Sequence, residues 1–193
     1  MLSMLFFANS CKKESDASKS VNAYTTTVKL AYNSSQTDPQ CFLDLDSGKV
    51  YRVSEALAHQ NEIDMVYVLR YSNANDPMFI SLGSFDGSSG YPISYWDKTT
   101  LGINRFSNFN HILLTSGSSS NTATGFAAVK TVADLNTWLN GNDPIHDFTN
   151  ASPNEIGDMV IFKTHQNKNG AFKITNAVNG SSGFATIEIK IEP

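Results

Sequence analysis

Two of the four histidines have neighbours that suit a ligand to iron. His111 follows Phe106 and Phe109 and precedes an apolar run, so its imidazole could coordinate iron beside the hydrophobic face of a haem. His146 lies in a polar, proline-containing segment that could present it to a ligand. Haem is therefore a candidate cofactor, with His111 and His146 as its candidate ligands.

The remaining histidines and the methionines provide weaker alternatives. His59 and His165 are scattered along the chain, and an isolated histidine is most often a structural or surface residue. The thioethers of Met65, Met78 and Met159 are alternative iron ligands. For Met65 and Met159 the sequence favours core packing.

A second candidate binding chemistry comes from neighbouring aromatic residues. Tyr95 and Trp96, with Tyr91 nearby, stand among Asn and Asp residues. Aromatic rings stack on sugar faces, and amides and carboxylates hydrogen-bond to sugar hydroxyls. Tyr95 and Trp96 are thus candidate ligand-binding residues for a glycan. For Trp138 we expect partial burial at a core edge.

The sequence lacks the motifs of the common enzyme classes. It contains no nucleophile elbow, phosphate-binding loop, dinucleotide fingerprint or zinc-protease helix. Paired carboxylates for glycoside hydrolysis cannot be recognised from sequence, and Glu62/Asp64 and Glu155/Asp158 fit solvated loops or strand edges better. No Cys/His spacing predicts a zinc site, and Asp44 and Asp46 fit turn capping better than calcium binding. We therefore expect a non-enzymatic protein, with a glycoside-active enzyme as the remote alternative.

The residues that precede Cys11 form the most specific motif in the sequence. It follows the apolar run Met1–Ala8 and the small residues Asn9 and Ser10, a pattern that resembles a bacterial lipobox. The lipobox predicts cleavage before Cys11 and acylation of its thiol and amine, so residues 1–10 are interpreted as a signal-peptide remnant. None of these ten residues is basic, and we expect the full leader to begin further upstream.

The residues after Cys11 suit a tether between an anchor and a folded body. Residues 11–22 are polar, small and charged, which predicts a flexible linker, and residues 23–193 form the single predicted domain. We predict that the protein lies at the cell surface, where the lipid anchor attaches it to the bacterial outer membrane. If Cys11 is acylated, Cys41 has no disulfide partner and is predicted to be a buried strand residue; a Cys11–Cys41 disulfide is the alternative.

Composition limits both the fold and the partners. The chain has 193 residues with 40% hydrophobic and only 17% charged residues, while Ser, Asn and Thr account for 57 positions. Turn formers are thus abundant and charged helix formers scarce, which favours an all-β fold. The net charge of -4 provides no basic field for nucleic acid.

Hydrophobic patterning predicts an antiparallel β-sandwich with one or two short helices. Phe184–Ile191 alternates, with Ala185, Ile187, Ile189 and Ile191 predicted inward and Thr186, Glu188 and Lys190 outward. The other predicted strands are residues 24–32, 41–45, 49–53, 63–71, 78–82, 159–164 and 171–177, and residues 111–115 form a short apolar run. A helix is predicted over residues 54–60 with Ser54 as its N-cap. A second is predicted over 132–140, with Thr131 as N-cap and Asp134 near a capping-box position.

The order of these segments resembles a known family. The segments Asp46-Ser47-Gly48-Lys49-Val50-Tyr51, Asn169-Gly170-Ala171-Phe172-Lys173-Ile174 and Gly180-Ser181-Ser182-Gly183-Phe184 are similar to small surface lipoproteins of Bacteroidetes. In layout they resemble the HmuY-type haem-binding lipoproteins. The resemblance implies an all-β single domain at the cell surface and haem as a ligand, bound in that family by a His or Met pair. The similar segments describe hairpins and turns, so none of those ligands can be carried over to a residue of this chain.

Overall fold

The computed structural model describes residues 16–29, 38–69, 77–81, 112–114, 125–140, 156–164, 166–178 and 183–193. Within these ranges the chain forms two antiparallel sheets, which confirms the predicted all-β fold with few helices. The strands are β1 (Asn22–Lys29), β2 (Gln40–Asp44), β3 (Lys49–Arg52), β4 (Met65–Leu69), β5 (Pro77–Ser81), β6 (Ile112–Leu114), β7 (Met159–Lys163), β8 (Asn169–Val178) and β9 (Phe184–Ile191). One sheet has the order β1-β9-β8-β7-β6 and the other β3-β2-β4-β5.

The main core fills the space between the two sheets. Alternate residues of β9 point into it, and Ala185, Ile187, Ile189 and Ile191 are all fully buried, as the alternation predicts. Aromatic rings join the sheets at the centre, where Phe79 of β5 lies 4.9 Å from Phe172 of β8, centroid to centroid. Burial of such side chains is the main source of folding free energy for a sandwich of this kind.

A helix covers part of the outer face of the five-stranded sheet. Helix α1 (Val132–Asn140) begins where the sequence predicts it. Its start is fixed reciprocally: Asp134 N donates to Thr131 Oγ1 (3.1 Å) and Thr131 N donates to Asp134 Oδ2 (2.8 Å). Leu135 and Trp138 pack with Phe126, Met159 and Ala171 in a second core, where Trp138 is buried and not only partly buried as predicted.

The predicted helix over residues 54–60 is wrong. A 3₁₀ turn, Val53–Glu55, is followed by further turns that cover part of the other sheet and bury Ala56 and Ile63. Ser54 is not its N-cap, because the Ser54 amide and hydroxyl both donate to Asp38, at 2.9 and 2.8 Å. A distant aspartate therefore determines this local structure.

The local backbone geometry requires glycine at two positions. Gly48 adopts φ 71° in the β2–β3 turn, a conformation that residues with a Cβ rarely adopt. Gly170 belongs to β8 rather than to the preceding turn, in which Asn167 takes the positive φ of 64°. A Cβ at Gly170 would meet the ring of Phe162, so the glycine makes room for an aromatic residue of the core.

Candidate functional site

All five predicted site residues lie outside the described part of the chain. Cys11, Tyr95, Trp96, His111 and His146 fall in the ranges 1–15, 82–111 and 141–155. Their roles stay predictions.

Two of the alternative iron ligands are core residues. Met65 and Met159 are each 1% exposed and pack in the two different cores, as the sequence favours. Met78 lies in β5. Met65 and Met159 are therefore excluded as alternative iron ligands.

Among the described residues, the most specific polar arrangement is a three-residue cluster of Tyr51, His59 and Glu62. Tyr51 is in the edge strand β3, and the other two are in the turns that follow it. The turns hold His59 in place through the backbone: its amide donates to Glu55 O, and its carbonyl accepts from the amides of Glu62 and Ile63, at 2.9 and 3.2 Å.

The three side chains contact one another directly. The imidazole of His59 stacks on the ring of Tyr51, with centroids 4.4 Å apart and planes 16° from parallel. The hydroxyl of Tyr51 donates to Oε2 of Glu62, and Nδ1 of His59 lies 3.1 Å from Oε1 of the same carboxylate. Lys49 places its ammonium 4.9 Å from the centre of the Tyr51 ring.

The electrostatics of this cluster determine which nitrogen of His59 carries a proton. Hydrogen bonds from Tyr51 and from His59 lower the pKa of Glu62, so the carboxylate is ionised at neutral pH and accepts at both oxygens. Nδ1 of His59 must then be the donor. In the neutral imidazole the lone pair is consequently on Nε2.

This arrangement prepares His59 as a Lewis base. A carboxylate that accepts from one ring nitrogen fixes the tautomer and the orientation of the ring, as is usual for metal-bound histidines. No other described residue hydrogen-bonds to Nε2, and the His59 side chain is 35% exposed. Tyr51 is 3% exposed, and burial, followed by the bond to Glu62, raises its phenol pKa, so it stays protonated and positions the carboxylate.

The sequence analysis left His59 among the scattered histidines. The signal that could have identified it is the spacing of His59 and Glu62, since side chains three residues apart face each other in a helical turn. The contribution of Tyr51 depends on how a strand packs against a turn and has no local signal.

Three aspartates form a separate, mostly buried cluster at the β2–β3 turn. One carboxylate oxygen from each of Asp44, Asp46 and Asp64 lies within 4.8 Å of the others, which is the donor type that hard cations prefer. Protein groups already donate hydrogen bonds to two of these carboxylates. Asp44 accepts from the amide of Asp46 (2.9 Å) and the hydroxyl of Ser47 (2.6 Å), and Asp64 accepts from the amide of Leu45 (2.9 Å).

The aspartate cluster therefore fixes the turn. The ammonium of Lys168 lies 3.9 Å from Asp46 and offsets part of the charge. Turn capping by Asp44, which the sequence favours over calcium binding, is confirmed. The expectation of a solvated strand edge is wrong for Asp64 and Asp158, which are 0% and 5% exposed.

A buried lysine joins the second core to its sheet. Lys190 points to the outward face of β9, as predicted, but residues 125–130 cover it and leave it 4% exposed. Its ammonium donates to the carbonyls of Phe126 (2.6 Å) and Val129 (3.0 Å). Burial lowers the pKa of this lysine, and its role is structural.

Cys41 is a buried free cysteine in β2, as predicted. It is 1% exposed, and desolvation raises its thiol pKa above the ordinary value, so the thiol stays neutral. Cys41 is consequently unreactive toward reagents in solution.

The fold and this cluster define an antiparallel β-sandwich with a carboxylate-oriented histidine on its surface. Comparison with models of known families, with curated proteins and with solved structures finds no match. In the described ranges, no helix has the length and apolar character that crossing a bilayer requires.

Proposed function

We propose that this chain is a lipid-anchored, non-enzymatic ligand-binding module of the bacterial outer surface, with haem as its ligand. The lipobox-like residues before Cys11 support the anchor, because the first sheet strand begins at Asn22, only eleven residues later. A short polar segment between an acylated cysteine and a sandwich has the layout of a surface lipoprotein.

The single observation that carries the ligand assignment is His59. Its Nδ1 donates to Glu62, its ring stacks on that of Tyr51, and in the neutral form of the imidazole the lone pair is on Nε2. A neutral, oriented imidazole is the usual axial ligand of haem iron. His111 or His146 would supply a second ligand.

Haem iron needs fewer protein ligands than a bare metal ion does. His59 is the only histidine among the described residues, and the only described cysteine, Cys41, is buried. A bare transition-metal ion bound at a structural site needs about four protein ligands. In haem the porphyrin supplies four nitrogens, so that one or two axial side chains are sufficient.

The test is a haem titration of the full chain carrying Cys11→Ala, followed by absorbance. We expect a saturable Soret shift at one equivalent, lost in His59→Ala and retained in Asn61→Ala, an exposed neighbour that serves as matched control. His111→Ala and His146→Ala then identify the second ligand.

A flat response like that of an unrelated protein would contradict haem binding. Glycan or protein adhesion would then be the leading function, and loss of glycan-array binding in Trp96→Ala or Tyr95→Ala would test it. A saturable shift that His59→Ala leaves unchanged would keep haem and reject His59 as its ligand.

The anchor has its own test. The chain, expressed in a bacterium behind a lipoprotein signal peptide, should partition into the detergent phase and incorporate labelled palmitate. Cys11→Ala should do neither, whereas Cys41→Ala should do both.

A further inference from the structure

Residues 19–21, which precede the first strand, are hydrogen-bonded to the residues at the start of α1. The amide of Val21 donates to the carbonyl of Lys130 (3.0 Å), the amide of Val132 donates to the carbonyl of Lys19 (2.9 Å), and Ser20 forms a bridge with Thr131. These contacts fasten residues 19–21 to the start of α1. We call this end of the sandwich, which also holds Asn22 and its partner Ile191, the clamp end.

Little chain separates the clamp end from Cys11. Residues 16–18 form a 3₁₀ turn, closed by a bond from the amide of Lys19 to Asp16 O (3.2 Å) and by an ion pair of the same two residues at 2.7 Å. Between Cys11 and Asp16 there are five residue steps, which extend to at most about 18 Å in any conformation. A lipid on Cys11 thus holds the clamp end near the headgroups.

The opposite end of the sandwich lies further along the chain from the anchor than the clamp end does. β1 runs from Asn22 to Lys29, and a strand rises about 3.3 Å per residue, so Lys29 lies about 23 Å from Asn22 at the clamp end. The outward residues Thr25, Thr27 and Lys29 of β1 are exposed and polar, so these three side chains offer nothing apolar to a bilayer.

We infer that the sandwich stands end-on at the membrane, with the clamp end against the lipid headgroups and Lys29 pointing away from the membrane. This inference rests on the proposed acylation of Cys11. The partner of the clamp end is the phospholipid surface. Lys130, exposed at the clamp, adds a cation toward the phosphates.

The test uses two single-cysteine labels on the lipidated full chain. Lys130→Cys and Lys29→Cys are a matched pair, because both remove an exposed lysine, and buried Cys41 and acylated Cys11 do not react. Each labelled protein is reconstituted into phosphatidylethanolamine–phosphatidylglycerol vesicles that contain a lipid with a nitroxide on its headgroup.

We expect the nitroxide to quench the fluorophore at position 130 several-fold more than the one at position 29. Insertion of a long Gly-Ser segment after Ser15 should abolish the difference, because the tether then no longer restricts the body. Equal quenching, or stronger quenching at position 29, would overturn the end-on orientation while the anchor stands. Failure of the protein to float with the vesicles would overturn the anchor and the orientation together.

Discussion

Glu62 illustrates how one carboxylate can set the chemistry of a neighbour. It accepts from Tyr51 with one oxygen and from His59 with the other, so its charge and geometry are both defined. The Glu62 side chain is half exposed, so its hydrogen bonds orient the His59 ring more than they stabilise the fold. It selects the tautomer with the lone pair on Nε2.

Replacing Glu62 tests the orientation of the His59 ring while leaving His59 itself in place as the proposed iron ligand. In Glu62→Gln the neutral amide accepts weakly from Nδ1 and no longer fixes the tautomer, so we expect haem affinity to fall about 10-fold to 100-fold while one haem still binds. A titration of the Soret band measures this change. Glu55→Gln, in the same turn, should leave affinity unchanged; an equal loss there would mean that total negative charge matters, and not the bond to His59.

Lys190 leads to a prediction about stability. In Lys190→Met the carbonyls of Phe126 and Val129 lose a charged donor inside the protein, so we expect the free energy of unfolding to fall by about 2 kcal/mol. Lys173→Met, on the same face of the sheet, should change it by less than about 0.5 kcal/mol. Urea denaturation of both variants measures the difference, and similar values for the two would contradict the role of Lys190.

At the scale of elements, the start of α1 produces a dependence on pH. Hydrogen bonds from Thr131, and then from the amide of Lys130, lower the pKa of Asp134 below its ordinary value of 3.8. A carboxyl whose folded pKa is depressed stabilises the fold above the unfolded value, and this stabilisation disappears as pH falls through the folded value. Asp134→Ala should therefore lower Tm at pH 7.

The same variant should approach the parent protein in acid. We expect the Tm difference between Asp134→Ala and the parent to shrink as pH falls below about 3.8, because the parent loses its cap when Asp134 is protonated. Thermal melts from pH 7 to pH 2.5 would measure it, with Thr137→Ala as a control on an exposed position of the helix. A difference that does not change with pH would show that the charge of Asp134 has no role in the cap.

The elements divide into those that local pattern predicts and those that it cannot. The bounds of β9 follow from strict alternation, and α1 follows from Thr131, Asp134 and an apolar face, because all of these signals lie within the element. The turns over residues 53–62 differ from the predicted helix, since Asp38 holds Ser54 from a distance. The Tyr51–His59–Glu62 cluster depends on these turns, so its geometry was equally beyond local pattern.

At the scale of the whole molecule, the two sheets share one core. Phe172 lies at its centre, with Phe79 of the other sheet at 4.9 Å and Phe162 of its own sheet at 6.3 Å between ring centroids. The second core beneath α1 is built on the opposite face of the same strands, since Ala171 precedes Phe172 in β8. Neither sheet can bury its apolar face without the other, so we expect one cooperative unit.

Phe172→Ala tests this cooperativity. Removal of a buried ring should lower the free energy of unfolding by about 3–5 kcal/mol. The loss should appear equally in far-UV circular dichroism, which reports both sheets, and in the fluorescence of Trp138, which reports the second core, measured in a Trp96→Phe background. Coincident urea transitions at a lower midpoint are expected. If Trp138 kept the parental midpoint while the circular dichroism transition shifted, the helix-covered face would be a separate folding unit, and the sandwich would not be a single one.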